Sequence, residues 1–110
     1  MKRVLTIAAL AAFTASPAAW AKGSAEAGKA KAAQVCAACH GPDGNKPSAP
    51  DQPILAGQHY DYLLQALSDY KSGKRANPIM KGFAATLSKK DMEDLAAWFS
   101  SQDSALRSQR

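Results

Sequence analysis

Cys36-Ala37-Ala38-Cys39-His40 constrains this chain more than any other stretch, because five residues hold both cysteines and one of the two histidines. At roughly 100° per residue on a helix, the three side chains leave one face within about 100° of each other. C-x-x-C-H is the spacing at which two thiols and an imidazole meet one c-type haem. The thiols add across the vinyl groups and the histidine ligates the iron. Two other chemistries use a C-x-x-C pair. A redox dithiol expects a thioredoxin-like βαβ pattern, and none is found. A zinc site needs four ligands, and Cys36, Cys39, His40 and His59 are irregularly spaced for one.

The N-terminus bears on that choice. Lys2 and Arg3 precede an apolar run over 4–13, and Ala19-Trp20-Ala21 fits a small-x-small cleavage pattern. This reads as a secretory signal peptide over 1–21, cleaved after Ala21, and the run is too short for a comfortable membrane span. The expected localisation is the periplasm, where two close thiols that end as thioethers escape oxidation to a disulfide. The domain is then 22–110, which is 110 less 21, or 89 residues. A chain of that size rarely buries enough apolar surface alone, and a covalent haem would staple it. Without Lys2 and Arg3 the charge is 12 basic less 9 acidic, or +3. That mildly basic surface, without a dense Lys/Arg cluster, excludes a nucleic-acid footprint.

The pattern along the domain is all-α, with three helices and two long loops. Ser24 caps a first helix over about 24–35, in which Gly28 marks a close approach of another helix. Residues 41–53 form a loop with Pro42, Pro47, Pro50 and Pro53. A second helix over about 58–72 carries Tyr62, Leu63, Ala66, Leu67 and Tyr70 on a core-facing stripe and stops at Gly73. Residues 75–87 read as irregular, broken by Asn77-Pro78 and Gly82. Ser88 and Asp91 resemble a capping box opening the last helix, over about 88–101. Residues 103–110 read as a frayed polar tail.

An iron held by His40 has a second axial position to fill. Met92 lies on a helix face with Leu87 as its staple, which marks it as core. His59 lacks apolar neighbours and reads as solvated. Met80, in the loop Asn77-Pro78-Ile79-Met80, is free to bend its thioether onto the metal and is the expected ligand. Histidine and methionine together raise the reduction potential and leave oxygen no easy entry.

These features, with Pro53-Ile54-Leu55-Ala56-Gly57-Gln58, Tyr62-Leu63, Gly73-Lys74-Arg75 and Leu87-Ser88, make the chain resemble a class I cytochrome c. The likeness is strongest to the short bacterial soluble, periplasmic type and to a single domain of the di-haem cytochromes c. It implies a cytochrome c fold wrapped around one haem c, with Cys36 and Cys39 as thioether sites and His40 and Met80 as axial ligands. It further implies that the Pro53 carbonyl orients His40, that Arg75 meets a haem propionate, and that Gly28 faces Leu95 and Trp98. Ala32 departs from the aromatic of mitochondrial-type forms. The implied function is not enzymatic: a one-electron carrier between redox partners such as membrane respiratory complexes or periplasmic oxidoreductases. Lys46, Lys74 and Lys81 would steer an acidic partner. A haem enzyme or gas sensor with an open distal site is one alternative. A dedicated cytochrome subunit of a periplasmic dehydrogenase complex is the other.

Overall fold

The computed structural model describes residues 8–12 and 22–108. The Lys2-Arg3 pair and the cleavage pattern Ala19-Trp20-Ala21 lie outside them. Among the described residues there is no strand, and no helix is long and apolar enough to cross a membrane. Six helical segments follow in order: α1 (Ala25–Val35), α2 (Ala37–His40), α3 (Tyr60–Ser72), α4 (Pro78–Ala85), α5 (Lys89–Ser100) and α6 (Ala105–Ser108).

The starts of α1 and α5 and the end of α3 lie where their end groups find partners, whereas α3 begins at His59 without a side-chain cap. Ser24 caps α1, its hydroxyl accepting from the Ala27 amide at 3.2 Å. At α5 the capping box is complete: the Ser88 hydroxyl takes the Asp91 amide, and the Asp91 carboxylate takes the Ser88 amide, each at 3.0 Å. Gly73 ends α3 in the left-handed region, at φ 82°, where a Cβ is strained.

Helix α1 packs on α5, and α3 packs on both α5 and α4. The core between them comprises Ala32, Leu63, Leu87, Met92, Leu95, Ala96 and Phe99, so Met92 is a core residue as expected. Small residues let α1 and α5 approach closely. A Cβ on Gly28 would stand 1.9 Å from the Asp94 carbonyl oxygen and 2.8 Å from the Trp98 Cβ. Trp98 is the expected neighbour; the other nearest atoms belong to Asp94 rather than Leu95. Asp94 is itself buried, its carboxylate accepting from the Ser24 amide at 2.7 Å and from Lys90 at 2.6 Å. It thereby satisfies a backbone donor at the start of α1 that no helical carbonyl can reach.

Two expectations are corrected. Residues 75–87 are not irregular throughout, because α4 occupies Pro78–Ala85. The pair read as a breaker is a start signal: the Asn77 side chain accepts from the Ile79 and Met80 amides, both at 3.1 Å, and Pro78 takes the first helical position. Nor is the tail frayed over 103–107. The Ser104 hydroxyl donates to the Ala56 carbonyl, and the Arg107 guanidinium donates to the Ser101 carbonyl at 3.0 Å.

Candidate haem site

The backbone hinges at Cys36, which ends α1 and begins α2. Its carbonyl accepts from the Cys39 amide at 3.2 Å and from the His40 amide at 3.0 Å. Both thiols are free and half-buried. Burial first, and then the neighbouring Cys39, push the Cys36 thiol up to about 11. A dithiol catalyst requires the opposite, a depressed thiol that yields thiolate near neutrality. Zinc fares no better: among the described residues no three His, Cys, Asp or Glu side chains gather as a metal site, and His59 stays exposed at the start of α3.

His40 is buried, at 7% exposure, and its Nδ1 lies 2.9 Å from the Pro53 carbonyl oxygen. A carbonyl only accepts, so Nδ1 carries the proton and Nε2 keeps its lone pair for a metal. Positions 40 and 53 are thus brought together as expected. The loop between them is cross-tied where the Leu55 amide reaches the Gly44 carbonyl at 2.9 Å. Trp98 adds a tie from α5, its indole N–H donating to the Pro42 carbonyl at 3.1 Å.

Met80 lies on a separate element, in the first turn of α4, and is half-buried. Around these segments large apolar side chains remain exposed: Ile54, Tyr62 at 52%, Ile79 at 68% and Phe83. Tyr62 was expected on a core-facing stripe; instead its hydroxyl meets the Arg75 guanidinium at 3.3 Å, and Arg75 also lies 4.9 Å from the Tyr70 ring centroid. Arg75 is therefore held by tyrosines of α3. A groove of about 580 Å³ between α3 and α5 is lined by Leu64, Ser68, Lys71 and Met92 but by none of Cys36, Cys39, His40 or Pro53.

The donor set fits a covalent haem: two unpaired thiols, a buried imidazole with one nitrogen engaged, a thioether on a separate segment, and apolar side chains that water does not favour. Comparison with known proteins decides the family. The family model described as cytochrome c matches residues 25–103. This chain belongs to the cytochrome c family. A cytochrome c domain binds haem c covalently, and Cys36, Cys39 and His40 have the C-x-x-C-H spacing for it.

The domain is 55% identical to cytochrome c4 of Pseudomonas aeruginosa over 82 residues, which are 74% of this chain and 40% of that one. It is 43% identical over 72 residues to the thiosulfate dehydrogenase electron acceptor of Stutzerimonas stutzeri, covering 66% of this chain and 33% of that protein. The solved structure of reduced cytochrome c4 from Pseudomonas stutzeri has a TM-score of 0.68 at 49% identity, covering 74% of this chain and 46% of that one. The all-α cytochrome c fold expected from the sequence is therefore the fold observed. The chain spans less than half the length of each of these relatives.

Several residues that shape the site were not read from the sequence. Asn77 had a signal in the Asn-Pro pair, a cap residue before a first-turn proline. Asp94 and Asn45 each have a near partner, Lys90 and Asp43, but nothing in the sequence pointed to their distant ones, Ser24 and Asp103.

Proposed function

We propose that this domain is a periplasmic one-electron carrier, with Cys36 and Cys39 as thioether sites and His40 and Met80 as axial ligands. When bound, haem supplies a one-electron Fe(III)/Fe(II) couple. The Pro53 carbonyl holds the His40 ring and makes it a more basic donor. His40 and Met80 would together hold the iron and so leave small oxidants no open site on it. Arg75, steadied by Tyr62, is the candidate for a propionate. The observation that carries this reading is the bond from His40 Nδ1 to the Pro53 carbonyl at 2.9 Å, beside two unpaired cysteines.

Redox proteins are the partners, membrane respiratory complexes or periplasmic oxidoreductases. Lys71, Lys74, Arg75, Lys81, Lys89 and Lys90 fall between Tyr70 and Asp91 with no acidic residue among them. Lys89 and Lys90 pair with Glu93 and Asp94 on α5, which leaves Lys71, Lys74, Arg75 and Lys81 to steer an acidic surface. A narrower reading, electron acceptor for a periplasmic dehydrogenase, is favoured by the name of the Stutzerimonas stutzeri relative. Co-purification of a dehydrogenase with the native protein decides between a free carrier and a dedicated subunit.

Intact mass and a pyridine haemochrome spectrum of the exported protein test the cofactor and its attachment. A mass equal to the bare polypeptide overturns the reading. A ferric spectrum with a thioether charge-transfer band supports Met80 as ligand, whereas a high-spin ferric spectrum supports an enzyme or gas sensor with an open distal site.

A further inference from the structure

The segment 103–107 lies at or beyond the C-terminal limit of the family match, yet it is tied to the loop that supports His40. Ser104 donates its hydroxyl to the Ala56 carbonyl and accepts from the Leu106 amide at 3.2 Å. Asn45 donates from Nδ2 to the Asp103 carbonyl at 2.9 Å, while its backbone amide is held by the Asp43 carboxylate at 2.9 Å. The segment therefore grips the 41–57 loop at two places, one on each side of the tie between Gly44 and Leu55.

Gly57 makes room for it. A Cβ there would stand 2.6 Å from the Ser104 hydroxyl and 3.0 Å from the Arg107 Cβ, and φ is 73°. The Gly57 amide donates to the Phe99 carbonyl at 2.8 Å. Residues 55–57 are thus sandwiched between α5 and the C-terminal segment. Pro53, three residues before Ala56, supplies the carbonyl that orients His40. No residue of 103–107 belongs to the hydrophobic core.

We propose that segment 103–107 is a strap that positions His40, with Ser104 and Asn45 as its anchors. The strap fixes the loop, the loop fixes the Pro53 carbonyl, and that carbonyl sets the orientation and basicity of the imidazole. Ser104 is a positioning residue and touches neither His40 nor the iron. Loosening the strap weakens donation from Nδ1, makes the imidazole a poorer donor to Fe(III), and so raises the reduction potential.

Two variants of the haem-loaded protein test it: Ser104→Ala, and a chain ending at Gln102. Each is measured for exchange of the His40 Nδ1 proton by NMR, for reduction potential and for thermal midpoint. Ser104→Ala is expected to speed proton exchange about tenfold, the scale of one lost hydrogen bond, and the truncation more, both with a higher potential. Unchanged exchange and potential with only a lower midpoint overturn the strap, because a merely structural segment would do that. Should the truncated chain not fold, Ser104→Ala alone decides. The strap rests on His40 as the iron ligand, so the parent spectrum is recorded alongside. A parent without imidazole-ligated haem defeats both readings, whereas a normal parent with unmoved variants defeats the strap alone.

Discussion

Gly28 of α1 presses its backbone against the Asp94 carbonyl of α5, leaving 1.9 Å where a Cβ would have to stand. No rotation relieves such a contact, because both atoms belong to helix backbones. Gly28→Ala is expected to push the helices apart and cost about 3 kcal/mol. The thermal midpoint of the haem-loaded protein checks it. An unchanged midpoint would mean that the crossing is looser than drawn.

Asp94 makes the same crossing sensitive to acid. The hydrogen bond from Lys90, helped by the Ser24 amide, holds its carboxyl below the ordinary value despite burial. The folded pKa thus lies below the unfolded one. Its contribution is full above about pH 4, the unfolded value, and is lost as pH falls through the folded pKa. Asp94→Asn is expected to cost about 1–2 kcal/mol near neutrality and to flatten stability below pH 4. Denaturant titrations of parent and variant at a series of pH values measure both effects.

Asn77 caps the N-terminus of the helix that carries Met80. Asn77→Ala is expected to cost about 1 kcal/mol and to fray the first turn of α4. Amide exchange at Ile79 and Met80 should quicken while α5 stays protected.

Variants of Met80 and Met92 test the proposed ligand against the observed core residue. Met80→Ala should abolish the thioether charge-transfer band, lower the reduction potential and admit added imidazole or cyanide. Met92, 6% exposed among Leu63, Leu87 and Leu95, should cost about 2–5 kcal/mol on truncation to alanine with the band kept. Loss of the band in Met92→Ala would reverse the two assignments.

Local chemistry was legible in the chain and distant partnership was not. Ser24, Gly73 and the Ser88/Asp91 box announce their helices because each end satisfies its backbone within four residues. The same logic was available at Asn77-Pro78 but was read as a break, since a proline both starts helices and ends them. His40 and Pro53 were paired through likeness to a family rather than through pattern. Asn45, Trp98 and Ser104 act across 48 to 58 residues of chain. Hydrophobic periodicity carries no trace of which loop carbonyl such a donor will find. Tyr62 sits on the expected face of α3, yet burial there is a matter of what lies opposite, which periodicity does not record.

The two sides of the candidate site are anchored unequally. The Pro53 side is fastened to α5 and to the C-terminal segment by bonds spanning much of the chain. The Met80 side rests on one short helix whose polar caps, Asn77 and Thr86, reach no further than three residues, packed mainly on α3. Thermal or chemical stress should therefore breach the molecule on the methionine flank first, releasing a sulfur while the imidazole stays seated. On the proposed ligation such a protein would fail by degrees, losing Met80 before His40.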